Sequence, residues 1–558
     1  MKSDIRIWII LAAILSISFV MYLPSLSNQF LWDDHTIIED NPAMRMPNPF
    51  LLFGETYWPP TVTNLPPPYY RPMTMLWFWL EFNIFGKSAF GFRIFNIFLF
   101  LLTAILVFYF ARKIFQSAEI SLFAAAVFAL NPIHIESVAF VSGMTDVSAA
   151  FFIMLAIIAF SSEKWWIKYI AAPAIFLLSL FSKESAVAGI LIFPAYELFI
   201  RRKSFFKSAL STLPFFVPMT IYFMLRYWVL GVFGGYKLAS LNLFQKLAPT
   251  FYILVRYIQN IIFPFDLSPL HPQWFFNHSI TYYLLWFFPF LILVGLLIYL
   301  SRNRYLRFSL FWSALFIIPA LRIGASHQGA LWAERFTYIS SIGASLFIAF
   351  YIEKIFHIRF AKYRDIGKIL VFTYFVLLFA FGFEYSFWWR NDWMGFRRIV
   401  HDAPEKPVGY SGLAEQFLDI GEVDSAFYYI NMALEQDSTY PLALTTAADI
   451  CIKAKKYEKS LEYCKKLMKL HPSHTAGYIY AAISSIMLGD TVSALEFAKK
   501  STEIAPLNPA ANKIYAEVLL ADGDTTKALL YLKQAHNLLP DDEKIANKYF
   551  HIISKSIK

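Results

Sequence analysis

Cysteine, charge and a signal-peptide cleavage site are what this chain most lacks. It has two cysteines, so at most one disulfide is open to it. Only 16% of its residues are charged, against 58% hydrophobic and 19% aromatic. A soluble protein of 558 residues would not carry 59 phenylalanines and 15 tryptophans, so the composition is that of a polytopic membrane protein. No small-residue cleavage site follows Tyr22-Leu23-Pro24, and the apolar run from Ile5 to Val20 is expected to stay as an anchor. Nor is there a basic patch gathered on one soluble surface, which excludes nucleic acid as a partner. The net charge of +10 is carried before Asp402, beyond which acid slightly exceeds base.

What basic charge there is marks a topology. Lys2 and Arg6 precede the first apolar run. Clusters at Arg201, Arg202, Lys203 and Lys207, at Arg302, Arg304 and Arg307, and at Lys354, Arg359, Lys362 and Arg364 each follow a later one. Short basic loops lie on the cytoplasmic side. About eleven spans fit between them, at 5–23, 94–111, 119–135, 146–161, 166–181, 185–200, 209–230, 281–300, 307–322, 336–353 and 367–387. An odd number places the C-terminal part outside the cytoplasm. The stretch 248–264, interrupted by Arg256 and ended by Pro264, is expected to be re-entrant or interfacial, and 119–135 and 166–181 to be broken or tilted.

Beyond the tryptophans at 388, 389 and 393 a period takes over. Ala426, Ser460, Ala494 and Ala528 are 34 apart, as are Gly421, Lys455, Gly489 and Gly523, and Ser438, Pro472, Pro506 and Pro540. A gapless 34-residue period, with a small residue on the second helix and a left-handed turn between the helices, is the pattern of the tetratricopeptide repeat. Four repeats cover 407–540, and 541–558 reads as a capping helix. Cys451 and Cys464 fall on the two helices of the second repeat, either as buried thiols or as a disulfide suited to an extracytoplasmic domain. The expected fold is therefore all-α: a membrane domain over 1–390, a linker over 391–406, and an α-solenoid.

The chemistry-bearing residues lie at the outer ends of the spans. Asp33 and Asp34 sit between Trp32 and His35, just past the first run. A carboxylate held outside a bilayer can deprotonate an acceptor beside a lipid-carried substrate, whereas the plain alternative is a solvated loop or helix cap. Adjacent residues do not share a face, so one of the pair is the base and the other fixes the loop. Arg71, Lys183 and Arg335 fall near the same interface as candidate phosphate-binding cations. Lys183-Glu184 and Glu334-Arg335 also read as span-end charges that snorkel, and Arg71 as a loop brace. His134 and Glu136 read as acceptor-positioning or structural groups. A metal site would need further ligands, none of them near in sequence, so no metal is expected. Asn277-His278-Ser279 reads as a glycosylation sequon.

Several stretches carry a resemblance. Trp32-Asp33-Asp34, Asp40-Asn41-Pro42 and Tyr70-Arg71-Pro72-Met73-Thr74 resemble the first outer loop of the transmembrane and tetratricopeptide-repeat O-mannosyltransferases. So do the run from Ala129 to Ala139, Ser142-Gly143 with Asp146, Phe181-Ser182-Lys183-Glu184, and the run from Ala333 to Ile339 that includes Glu334, Arg335 and Tyr338. Asn131 stands where that family usually has His, and Met144-Thr145 where an Arg-Ala pair is common. The resemblance, which includes prokaryotic members, implies an inverting transferase of the GT-C type. Such an enzyme moves mannose or a similar hexose from a polyprenyl-phosphate carrier to Ser or Thr of exported proteins, with no cofactor, at a prokaryotic plasma membrane rather than the endoplasmic reticulum. It also implies Asp33, first of the pair, as the base, with Trp32 shielding it from water. The repeats would hold the acceptor. Transfer to a lipid or envelope glycan, and a non-catalytic scaffold that presents the repeats, are the competing readings.

Overall fold

The computed structural model describes residues 2–27, 29–59, 69–233, 243–271, 280–321 and 332–556. These form helices of several kinds and no strand. The sequon at Asn277 lies outside them. The chain divides into two compact units. One comprises Met1–Asp34, Leu52–Gly54 and Pro68–Asn391; the other comprises His35–Leu51, Glu55–Pro67 and Asp392–Lys558. The segment after the first span is thus shared between the units, and the expected linker 391–406 carries the helix Asp392–Asp402.

Among the described residues of the first unit, seven helices are long and apolar enough to cross a membrane: Ile5–Ser25, Ala89–Phe115, Val141–Phe160, Phe205–Leu230, Arg304–Leu321, Glu334–Phe356 and Ala361–Phe387. The protein is a multi-pass membrane protein. Ala118–Ala129 and Pro132–Ala139, bent by 48°, make an eighth if they count as one broken span. The expectation of eleven spans is thus not confirmed among the described residues. Ile167–Ser182 and Leu285–Leu300 are apolar but shorter. Residues 185–200 are no single span: a 3-10 run Glu184–Leu191, a short helix Ile192–Ala195 and a π-turn Tyr196–Ile200 follow one another. Hydropathy reports apolar length but not the breaks in it. Leu243–Ile262 is a helix interrupted by Lys246 and Arg256, and its Tyr252, Ile253, Tyr257 and Ile261 bury against Ile133, Ile317, Ala320 and Trp332.

Small and hydroxylated residues let the helices approach closely, since lipid gives apolar side chains no reason to leave it. Where Arg304–Ile317 meets Tyr338–Phe356, the Ser313 hydroxyl donates to Ser340 O at 3.0 Å and the Ser340 hydroxyl to Ser313 O at 2.8 Å. A Cβ on Gly343 would come 2.4 Å from Ser309 O, so only glycine fits. This contact holds the helix that begins just beyond Arg335.

In the second unit, helix pairs run from Pro407–Asp419 with Val423–Gln436 to Pro509–Asp522 with Thr525–Leu538, followed by Glu543–Ser556. Ala426, Ser460, Ala494 and Ala528 are fully buried. Gly421, Gly489 and Gly523 turn with φ of 83°, 81° and 92°, and Lys455 takes the same left-handed conformation at φ 58°. Cys451 and Cys464 are buried free thiols; burial pushes Cys464 up to about 12.

His35 also belongs to this unit. Its Nδ1 lies 2.6 Å from Glu39 Oε2 and its Nε2 lies 3.0 Å from Asp392 Oδ2. Burial alone would lower the imidazolium, but the bonds and charges of Asp392 and Glu39 outweigh it and raise the group to about 10. A folded value above the unfolded one of 6.5 means that the contribution is full below the unfolded value and is lost as pH rises through the folded one. The ring is partly exposed, so solvent screens the effect. The thermal unfolding midpoint should fall as pH rises from about 7 to about 10, and fall less in His35→Gln. Identical pH profiles for the two proteins would show that the pair contributes nothing.

Candidate active site

The two adjacent aspartates have opposite fates. Asp34 is fully buried. Its Oδ1 accepts from the Ser142 backbone N–H at 2.8 Å and the Ser142 hydroxyl at 2.5 Å, and its Oδ2 accepts from Leu31 N–H at 3.2 Å. The Asp34 N–H closes the turn onto Leu31 O at 2.8 Å. Burial pushes the Asp34 carboxyl up to about 7, with the Ser142 bonds and the charge of Arg93 opposing the rise. Ser142 is presented by the 3-10 turn Val141–Gly143, where a Cβ on Gly143 would lie 2.3 Å from Ser137 O.

Inside the Leu31–Asp34 turn, Trp32 has φ +46°, a left-handed conformation that costs a bulky aromatic residue about 1–3 kcal/mol. Asp33, the next residue, remains half-buried. It lies close enough to Arg335 to be among the charges that guanidinium senses, with Glu136, Asp146 and Tyr69.

The three candidate cations come together with these carboxylates. The Arg335 backbone N–H donates to Glu136 Oε2 at 2.9 Å, and its guanidinium Nε is 3.4 Å from Glu136 Oε1. Lys183 Nζ is 2.5 Å from Asp146 Oδ1 and 5.6 Å from the centre of the Phe336 ring. Arg71 grips Glu184 through two bonds, Nε to Oε2 at 2.9 Å and Nη2 to Oε1 at 2.6 Å, with its guanidinium 4.3 Å from the Tyr69 ring centre. Arg71 and Glu184 in turn act on Lys183. Residues from six separate stretches of the first unit therefore form one charged constellation, in which every cation has a carboxylate partner.

Three of the expected residues face elsewhere. His134 and Tyr338 are fully buried in an aromatic core, with ring centres 4.8 Å apart and Phe128 4.5 Å from His134. His134 Nε2 bonds the Ser341 hydroxyl at 2.7 Å, so of its two readings the structural hydrogen bond is the one it forms. Glu334 turns to His271, at 2.6 Å, and to Asn260, at 3.4 Å, while the His271 ring stacks on Trp332 with centres 3.5 Å apart.

Reading the sequence missed the roles of Ser142, Tyr69, His271, Asn260 and Arg93. Arg93 was the detectable one, a single arginine near the start of the apolar helix Ala89–Phe115. It is fully buried and donates to Ala139 O at 3.1 Å and to Ser27 O at 2.8 Å. Among the described residues, one group has its ligand atoms within metal-binding reach of each other, Glu119, Glu353 and His357, and it includes none of the constellation.

Chemically, the arrangement offers one half-buried carboxylate at a strained turn beside cations able to hold a phosphate. Asp33 can take a proton; Asp34 is committed to Ser142.

Residues 69–227 match the family model described as dolichyl-phosphate-mannose-protein mannosyltransferase. The chain is also similar to a protein O-mannosyl-transferase of Caenorhabditis elegans, 31% identical over 154 residues, covering 26% of this chain and 22% of that protein. It is 29% identical over 187 residues to Protein O-mannosyl-transferase Tmtc1 of Drosophila melanogaster, covering 33% of this chain and 22% of that one. The matched stretches thus span about a fifth of these relatives' own length. A thermophilic TPR protein of Thermus thermophilus aligns in structure at 18% identity and a TM-score of 0.28, covering 32% of this chain and 94% of that one.

Asp34→Ala leaves three buried donors without an acceptor, at about 1–3 kcal/mol for each group orphaned. It should lower the unfolding midpoint far more than Asp33→Ala does. Equal shifts in thermal unfolding would contradict the division of labour between the two.

Proposed function

We propose that this chain is a protein O-mannosyltransferase, an inverting transferase of the GT-C type, a reading that the match of residues 69–227 supports. It moves mannose or a similar hexose from a polyprenyl-phosphate carrier to Ser or Thr hydroxyls of exported proteins. The observation that carries this reading is the pairing of a half-buried Asp33 with the Arg335–Glu136 and Lys183–Asp146 pairs in one constellation. An acceptor hydroxyl attacks the anomeric carbon from the face opposite the phosphate, and Asp33 takes its proton. The bond from that carbon to the phosphate oxygen breaks, and its electron pair leaves with the carrier. Arg335 and Lys183 stabilise the charge that collects there. Phosphate is already a good leaving group, so no general acid is required and no metal is needed. We place the enzyme in a prokaryotic plasma membrane, with the repeats outside the cytoplasm as the protein-binding surface for the acceptor.

The test is to incubate purified protein with radiolabelled polyprenyl-phosphate mannose and an extract of exported proteins. Label should appear on Ser or Thr. Asp33→Asn, which keeps the size but cannot take the proton, should cut the rate by about 10²–10⁴. Asp34→Asn should cut it less. Label on lipid or glycan alone would reject the acceptor class, and full activity in Asp33→Asn would reject the base.

Arg335→Lys keeps the charge but loses the planar fork. If one charge-assisted hydrogen bond of about 1.5–3 kcal/mol is lost, the KM for the lipid donor should rise about tenfold or more. The KM for a peptide acceptor should stay near its original value. A donor KM that does not change would remove Arg335 from the carrier site.

A further inference from the structure

The charged constellation of the first unit holds a carboxylate that is only half used. Asp146 stands in the first turn of the helix Met144–Phe160 and is almost fully buried. Its Oδ1 is 2.5 Å from Lys183 Nζ. Its Oδ2 is buried and, among the described residues, has no hydrogen-bond partner. An ionised carboxylate can accept about four hydrogen bonds, so an oxygen shut away from water with none calls for an explanation.

Tyr338 supplies the complement. It opens the helix Tyr338–Phe356, which packs against Met144–Phe160. Its ring is fixed in the aromatic core, with the ring centres of His134, Phe128 and Phe100 at 4.8, 5.8 and 6.4 Å. Its hydroxyl is buried and, among the described residues, also lacks a partner. Asp146 and Tyr22 both act on that phenol electrostatically. Two residues before it, the Phe336 ring centre lies 5.6 Å from Lys183 Nζ. An orphan donor and an orphan acceptor thus share one neighbourhood, while Lys183 holds the other oxygen of the carboxylate. Of the two groups near the Tyr338 hydroxyl, a carboxylate is a stronger acceptor than the phenol of Tyr22.

We propose that Tyr338 is a positioning residue that takes over Asp146 when the carrier phosphate takes Lys183. The lysine turns from Asp146 to the phosphate, and the freed carboxylate turns to accept a hydrogen bond from the Tyr338 hydroxyl. The inference rests on the transferase reading above. With no second partner, capture of Lys183 leaves a buried carboxylate uncompensated beside an incoming anion, which opposes binding. With one, the carboxylate keeps a charge-assisted bond in a site poor in water, and only side chains have to rotate. The two atoms left idle in the empty site are the two that the loaded site uses.

Tyr338→Phe tests this, because it removes the hydroxyl and keeps the ring that packs on His134. In the empty protein it deletes an unsatisfied donor, so the thermal unfolding midpoint should hold or rise. Binding of polyprenyl-phosphate mannose should nevertheless weaken at least about tenfold, through loss of one bond to a charged group. A residue that merely supports the fold would lower the midpoint instead. Lys183→Met frees Asp146 without any donor present. In that background Tyr338→Phe should lower the midpoint, the reverse of its effect in the wild type. An effect of the same sign in both backgrounds overturns the proposal, and so does donor affinity unchanged by Tyr338→Phe. Should Lys183→Met fail to fold, the donor titration decides alone. If the wild-type protein binds no polyprenyl-phosphate mannose, the transferase reading fails instead, and the unfolding comparison decides the takeover.

Discussion

Much of the first unit's geometry depends on how Asp34 is satisfied. A fully buried carboxylate must find partners, and this one takes three donors, two of them from Ser142. That requirement ties the segment after the first span to the turn Val141–Gly143, which begins the spanning segment Val141–Phe160 and so the helix bearing Asp146. Within the same turn the chain passes through the left-handed Trp32. The strain at Trp32 persists because the bonds of Asp34 over-determine the turn. Two identical side chains, adjacent in sequence, thus differ in burial and in partners, and the proposed function gives the chemistry to Asp33.

The charges around that turn follow a second rule. Taking an ion out of water costs more than a single attraction returns, and replacing a buried pair with apolar groups is often neutral or stabilising. Arg71–Glu184, Lys183–Asp146 and Arg335–Glu136 are therefore poorly explained as stability devices. On the transferase reading proposed above they are a preorganised field. Each cation is neutralised by a carboxylate already at bonding distance. An entering phosphate competes for it, and the field is in place before charge develops.

How much of this was legible in the sequence varied with the range of the interaction. The repeats were plain because a period of 34 repeats a local fact four times over: the small buried residue at 426, 460, 494 and 528, and the left-handed turn at 421, 455, 489 and 523. The candidate site residues were legible as motifs, but their partners were not. Nothing near Arg71 in sequence points to Glu184, or near Glu334 to His271, because those pairings are made by helix packing. His134 looked like a site residue from its place beside Glu136, yet the backbone turns it into an aromatic core. The eleven spans are not confirmed for a different reason: 184–200 is largely apolar in composition, whereas its backbone passes from 3-10 to α to π geometry.

The partition of the segment after the first span was invisible for the strongest form of the same reason. Local signals mark 35–45 as polar punctuation around an Asn-Pro cap, a loop that any membrane protein could carry. It belongs to the repeat unit, and one of its ties there joins Arg45 to Asp541, which lie near opposite ends of the chain. Closing so long a loop costs only slightly more entropy than closing one of half the length, because the cost grows with the logarithm of length. A distant tie is therefore affordable wherever two rigid elements already present the partners. Here both ends are stiffened in advance, the turn Pro42–Arg45 by its Asn41 cap and the segment after Asp541 by Asp542, whose carboxylate accepts from Ile545 N at 3.0 Å. Preorganised partners make a long-range pair specific, and local sequence signals cannot show where such a pair will form.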